Sequence, residues 1–269
     1  MSKIYIVGIG PGAYDMMTIQ AVKALEQSDI IVGYHVYTDL VKAYFQEKEF
    51  LTTPMKQEAE RCRMVLEQAD KGKTVSMICS GDAGISGMAC LMYEVAEEYG
   101  KSCKKETEKE LRSEYEVTQG NENENRRKYD MEVIPGVTAA NSGAAVLGAP
   151  LIHDFAVISL SDLLTPWEKI EKRLSCAAQA DMEIVLYNPS SHKRADYLQR
   201  ACDILLRELP GEQVCGYVEN IGREGTNNHT CTLKELRDTK VNMFTTVFIG
   251  NSTTKVIQGK MITPRGYHL

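Results

Sequence analysis

Val133–Leu151 reads VIPGVTAANSGAAVLGAPL, and the fold is decided there. A short apolar strand, Met131 to Ile134, runs into Pro135-Gly136. Nearly every residue after it is small: Ala139, Ala140, Ser142, Gly143, Ala144, Ala145. Each glycine costs a helix roughly 1 kcal/mol relative to Ala, and a chain tolerates that where something must approach the backbone. Pro135 stops the strand, Gly136 is expected to take a positive φ, and Thr138 to cap the helix. Free N–H groups would then face the strand's carboxyl end, where open α/β sheets bind ligands. Composition alone fits a tightly packed core helix equally well.

The same grammar repeats on both sides. Lys3–Ile9 (KIYIVGI) is a β-branched apolar run, as a buried parallel strand requires, and it breaks at Gly8-Ile9-Gly10-Pro11-Gly12-Ala13. Thr18 caps a predicted helix, Ile19 to Gln27, whose apolar positions are Ile19, Val22 and Leu25. Asp29–Val32 is the next strand, followed by Gly33-Tyr34-His35-Val36-Tyr37. Pro54 opens a helical pattern that runs to about Lys71, with Ala59, Cys62, Leu66 and Ala69 on one face and Gly72 as the stop. Thr74–Cys79 reads as a strand entering Ser80-Gly81-Asp82-Ala83-Gly84-Ile85-Ser86-Gly87 and a helix to Gly100. Downstream come strands at Asp154–Ser159, Glu183–Tyr187, Gln213–Val218 and Met243–Ile249, with helices at Pro166–Ala178 and Ala195–Glu208. Strands alternating with helices predict an α/β fold. Two domains in series are expected, 1–152 and 153–269, packed closely because no Pro-, Gly- or Ser-rich linker divides them. Lys101–Asp130 carries eight basic and eight acidic residues in thirty. Such a stretch cannot build a core, so it reads as a solvated insertion, helical over Lys104–Tyr115, or as a lid.

Composition narrows the function. The chain of 269 residues is 43% hydrophobic and 25% charged, an ordinary globular balance. No apolar run approaches the roughly eighteen residues of a membrane span. The start, MSKIYIVGIGPG, lacks the apolar core and cleavage site of a signal peptide. The eight cysteines form no C-x-x-C pair and read as reduced residues of a cytoplasmic protein. The five histidines are dispersed, which leaves no metal site. A net charge of −6 speaks against a nucleic-acid partner.

Gly8-x-Gly10-x-x-Ala13 satisfies a dinucleotide fingerprint. Two features oppose it: Pro11 lacks the N–H a pyrophosphate wants, and the second strand ends in Gly33-Tyr34 without the acid that binds a ribose. Three strand ends look alike, Ser80–Ser86, Pro135–Ala139 and Tyr187–Ser190. Each is an apolar strand, then small or amide residues, then a helix. Asp82 either caps the following helix or, with exposed amides and Ile85, meets a ligand bearing hydroxyls and an ammonium group. No Walker lysine, Ser-His-Asp order or base-paired cysteine is present.

In this order, Gly8-Ile9-Gly10-Pro11-Gly12, Ser80–Gly87 and Pro135-Gly136-Val137-Thr138-Ala139-Ala140 resemble the tetrapyrrole (class III) S-adenosylmethionine methyltransferases. The resemblance covers the chain except Lys101–Asp130, which departs from the compact family pattern. Val32-Gly33-Tyr34 with Tyr37, Tyr187-Asn188-Pro189-Ser190 with Arg194, and Asn220–Gly225 resemble the members that methylate C-17 of precorrin-3B or cobalt-factor III and contract the ring. The resemblance implies two α/β domains, each around a roughly five-stranded mixed sheet, a cofactor cleft between them, and a homodimer. It implies S-adenosyl-L-methionine contacts from Pro11, Ser80, Gly81, Asp82, Ile85, Thr138, Ala139, Asn188, Asn220 and Thr246. Gly10 and Gly12 would face the tetrapyrrole. The methyl is already activated on a sulfonium, so the protein needs alignment and no nucleophile. For the proton movements of ring contraction the candidates are His35, Tyr34 and Glu219, with His153 left as structural.

A polycarboxylate substrate on a net negative protein requires local cations. The strand-end rule selects Arg194 and Arg223 as carboxylate clamps; a salt bridge tying the domains is their alternative role. Lys193 reads as solvated. Arg61, Arg63 and Arg173 are expected on helices away from the strand ends, and His35, Lys255 and Arg265 are next in line. Competing readings are a sister enzyme acting at another ring position, a class III methyltransferase acting on RNA or a modified histidine, and a binding module without turnover.

Overall fold

The computed structural model describes residues 1–112, 129–191 and 194–268, with the backbone alone over 102–112. Most of the 101–130 stretch and Lys193 lie outside the described residues. Two compact units emerge, Met1–Thr138 and Ala139–Leu269. The division precedes the expected one at residue 152 because the small-residue helix joins the second core.

The first unit contains β1 (Ser2–Gly8), α1 (Ile19–Gln27), β2 (Ile30–Tyr34), α2 (His35–Val41), β3 (Glu49–Thr53), α3 (Glu58–Asp70), β4 (Val75–Cys79), α4 (Ala89–Arg112) and β5 (Tyr129–Ile134). The strand order is β3-β2-β4-β1-β5, and every pairing is parallel. Both faces are covered, which explains the nearly continuous apolar strands. Val7, Ile31 and Ile78 pack with Ala21, Leu25 and Val41 on one face. Ile4, Ile6, Val32 and Met77 pack with Cys62, Val65, Leu66 and Met92 on the other. Thr18 caps α1 as expected, its Oγ1 accepting from Ala21 N–H at 3.0 Å. Ile19, expected in the core, is 75% exposed, and Ala21 and Ala24 take the inner face with Leu25. Pro54 lies four residues ahead of α3 and ends β3.

The second unit contains α5 (Ala139–Leu147), β6 (Gly148–Ala149), β7 (Phe155–Ser159), α6 (Trp167–Gln179), β8 (Glu183–Tyr187), α7 (Tyr197–Leu205), β9 (Val214–Glu219), β10 (Asn227–Thr232), α8 (Leu233–Arg237), β11 (Thr245–Ile249), β12 (Lys255–Ile257) and β13 (Lys260–Ile262). Its five-stranded sheet, β10-β9-β11-β8-β7, is mixed. β7 and β8 are parallel, while β11 runs against both neighbours and β10 against β9. α6, α7 and α8 cover one face through Ile170, Leu174, Leu198, Leu205 and Leu236. α5 covers the other through Ala140, Ala144 and Leu147, against Val185, Val218 and Phe248. β12, β13 and β6 form a small third sheet. Among the described residues no helix is long and apolar enough to cross a membrane, and no group of His, Cys, Asp and Glu is arranged to hold a metal ion.

Candidate active site

In the first unit β1 and β4 are neighbours, yet the helices that follow them lie on opposite faces of the sheet. That divergence opens a crevice at the strands' carboxyl ends. Gly10 and Gly81 bridge it: Gly10 N–H donates to Gly81 O at 3.0 Å and Gly81 N–H to Gly10 O at 2.7 Å. The amide of Gly10 is therefore engaged and Pro11 has none, so two successive positions of this loop offer no donor to a pyrophosphate. Gly8 and Gly136 close the junction. A Cβ on Gly136 would stand 2.1 Å from Gly81 O, and one on Gly8 2.7 Å from Gly136 N. Gly136 does not adopt the expected positive φ; close backbone approach is what demands glycine there.

Asp82 fastens the third loop to the second. Its Oδ1 accepts from Gly84 N–H at 2.7 Å and Ile85 N–H at 2.9 Å, and its Oδ2 from Gly136 N–H at 2.9 Å. Both oxygens are thus engaged by backbone. Ser80, Gly81 and Asp82 are half-buried, Ile85 is exposed, and Gly10, Pro11, Gly12 and Thr138 are buried. Tyr34 ends β2 on the same edge, edge-on to His35 with ring centroids 4.4 Å apart and to Tyr37 at 5.3 Å. Parallel strands place all these positions at one edge. The thiol of Cys79, at the end of β4, is pushed up to about 11 by burial, and that of Cys62 to about 12. Neither is a thiolate at neutral pH, so neither thiol is a nucleophile here.

In the second unit β7, β8 and β9 end at one edge, and β11 begins there. Asn188 and Asn220 directly follow β8 and β9, and both hold a positive φ, 55° and 51°. Such strain in a non-glycine residue concentrates at functional sites. Asn188 Nδ2 donates to Ser159 Oγ at 2.9 Å. Glu219 Oε1 accepts from Asn242 Nδ2 at 3.3 Å. Thr246 is buried in β11, opposite Val218. Arg223 lies over the Phe244 ring, 5.0 Å from its centroid. Ala139 is half-buried against the core of this unit. The first-turn amide of α5 at Ala140, expected to be free, donates to Tyr187 Oη at 2.8 Å.

Two arginines differ from expectation. Arg194 pairs with Asp162 at 2.9 Å and stacks over Tyr197, so its charge is compensated inside its own unit. Burial, and after it the hydrogen bond to Asp162, pushes the Tyr197 phenol up. Arg61, expected away from the strand ends, reaches the end of β3: its Nε donates to Thr53 Oγ1 at 2.9 Å. Tyr187 was singled out as a strand end, but not as the partner of the α5 amide; Ser159 and Asp162 escaped as site residues because a hydroxyl and a lone acid carry no periodic signal. Both edges offer backbone groups, small side chains and amides, and among the described residues no paired nucleophile and base.

This fold and these strand ends define a class. Residues 3–106 and 114–237 match the description Tetrapyrrole (Corrin/Porphyrin) Methylases, and the chain belongs to that family. Within it the chain is 42% identical to a Salmonella typhimurium protein described as "Probable cobalt-factor III C(17)-methyltransferase", over 98% of this chain and 99% of that one. It is 41% identical to the "Cobalt-factor III methyltransferase" of Priestia megaterium over 98% of its own length, but spans only 45% of that protein. Among solved structures it is similar to the methyltransferase CobJ, with 29% identity and a TM-score of 0.82, covering 98% of this chain and 100% of that one. A Thermus thermophilus uroporphyrin-III C-methyltransferase complexed with S-adenosyl homocysteine shares the fold at 19% identity and a TM-score of 0.66, covering 93% of this chain and 97% of that one.

Proposed function

We propose that this chain transfers a methyl group from S-adenosyl-L-methionine to C-17 of a cobalamin-pathway tetrapyrrole, cobalt-factor III or its metal-free counterpart precorrin-3B, with ring contraction. The observation that carries the reading is the 42% identity, end to end, with the Salmonella protein of that description. The residues fit such a cofactor. A Cβ at Gly8 or Gly136 would clash with backbone, so the strand ends of the first unit meet with no side chain between them, and a ligand can approach the backbone there. When bound, the cofactor supplies a methyl group already activated on sulfur.

The chain's own part is to bind, orient and exclude water. Pro11, Ser80, Gly81, Ile85 and Thr138 in the first unit, and Ala139, Asn188, Asn220 and Thr246 in the second, are the proposed cofactor contacts. Asp82 belongs with them through the loops it fastens. Gly10 and Gly12 are proposed to face the tetrapyrrole, with Arg223 and Arg194 on its carboxylates; Arg194 must exchange Asp162 for the ligand. His35, Tyr34 and Glu219 are the groups proposed to move protons during contraction. A homodimer in the cytoplasm completes the reading, and light scattering on the purified chain tests the dimer.

The decisive assay incubates the chain with S-adenosyl-L-methionine and either tetrapyrrole. A gain of one methyl by mass spectrometry, placed at C-17 by NMR, is expected. A methyl at another ring position would favour the sister-enzyme reading, and no gain on either compound would overturn the proposed substrate.

A further inference from the structure

Arg61 sits in the first turns of α3 and turns inward beneath the strand ends. It is 4% exposed. Its Nε donates to Thr53 Oγ1 at 2.9 Å, its Nη2 to Pro54 O at 3.3 Å and its Nη1 to Met88 Sδ at 3.0 Å. No carboxylate of a described residue pairs with it. Lys3, Lys42, Arg63, Lys101, Arg194, Arg207 and Arg237, all more exposed, each have an acid within pairing distance. Among the described residues the most deeply buried cation thus lacks a countercharge, an arrangement whose desolvation is costly. An apolar side chain would suit the position, since Cys62, Val65, Leu66 and Ala69 on the same helix are packed in the core.

The guanidinium has five N–H donors. Three are engaged, which leaves one donor on each Nη for the oxygens of a carboxylate. The group lying on Nη1 is a thioether, a weak acceptor on a flexible, unbranched side chain. Met88 is half-buried and directly follows Gly84–Gly87, which is exposed. An incoming acid can displace it without moving a strand. Resting on the proposed function, we infer that Arg61 is a carboxylate-binding residue of the strand-end site, held under Met88 until the acid arrives. Two ligands of that reading carry carboxylates, the tetrapyrrole through its acid side chains and the methyl donor through its amino-acid moiety.

The test compares wild type, Arg61→Met, Arg61→Lys and Met88→Glu by thermal melting and by calorimetric titration with S-adenosyl-L-methionine and with cobalt-factor III. Arg61→Met should melt no lower than wild type and lose at least tenfold in affinity for one ligand. Loss on cobalt-factor III assigns the acid to the tetrapyrrole; loss on S-adenosyl-L-methionine assigns it to the donor. Arg61→Lys should recover part of the loss. Met88→Glu places a permanent acid on the guanidinium, so it should melt higher and weaken the same ligand at least tenfold. The inference is overturned if Arg61→Met and Met88→Glu bind both ligands like wild type, or if wild type binds neither. It is also overturned if Arg61→Met merely melts early while Met88→Glu binds normally. Wild-type methylation of cobalt-factor III is read separately. Its absence alongside an Arg61-dependent affinity would refute the proposed substrate and leave the carboxylate site standing.

Discussion

Single residues in this molecule do their work by what they fasten. Asp82 accepts three backbone N–H groups across two loops, and a carboxylate receiving amides is a strong acceptor. Asp82→Ala leaves those amides without partners, and each costs about 1–3 kcal/mol if it stays dry. The expected outcome is a melting temperature several degrees lower together with weaker binding of the methyl donor; Asp82→Asn, which keeps one acceptor, should fall between. Unchanged melting alongside lost affinity would instead make Asp82 a direct ligand contact. Glu183 shows the opposite economy. It is fully buried, Oε2 has no hydrogen-bond partner among the described residues, and burial pushes its carboxyl up. Its folded-state value lies above its unfolded one, so the neutral form is favoured in the fold. The stability this contributes is complete below the unfolded value, near pH 4 to 5, and is lost as pH rises through the raised one. Glu183→Gln keeps the shape and removes the charge. Melts between pH 5 and 8 should show the variant gaining on wild type as pH rises; parallel curves would exclude Glu183 as the source.

At the scale of elements, α5 shows why a small-residue helix is ambiguous in sequence. Its glycine was expected where something approaches the backbone, and what approaches is a core ring: a Cβ on Gly143 would lie 2.7 Å from Phe248 Cζ. Gly143→Ala gains roughly 1 kcal/mol of helix propensity but overpacks against a fully buried ring, which costs about 1–3 kcal/mol. The clash should win, and denaturant unfolding should show a net loss; a stabilised variant would mean that Phe248 can move. α1, β4 and β8 were legible because capping and apolar runs speak locally. α2, β3, β10, β12 and β13 were not. β10 (Asn227–Thr232) is polar and largely exposed, and pairing with β9 alone makes it a strand. Arg61 was readable in principle. It stands in one stripe with Cys62, Val65, Leu66 and Ala69, at the spacing of a helix's inner face. It was expected on a helix away from the strand ends, and the stripe turns it inward instead. The junction of Gly8, Gly81 and Gly136 was legible as three glycines but not as a contact, because residues far apart in sequence meet only through sheet order.

The whole molecule answers the question of which ligand it takes. On the proposed function, S-adenosyl-L-methionine at about a hundred times its dissociation constant should add roughly 2.7 kcal/mol of stability, visible as a raised melting temperature. NADH at the same concentration should leave it unmoved, since Gly10 N–H is engaged and Pro11 offers none. A shift with NADH would restore the dinucleotide reading of the first loop. The sheet order carries one more consequence, and it belongs to synthesis. β1 is made first but lies between β4 and β5. Roughly fifty residues lie between the end of β4 and the start of β5. At about 5–20 residues per second, the nascent chain spends roughly 3–10 s with one edge of β1 unpaired. Open edges recruit foreign strands, so through this interval β1 is exposed to pairing with another chain. Only when Gly136 leaves the exit tunnel can the three strand ends meet, and the junction at the carboxyl edge of the first unit comes into being in a single late event.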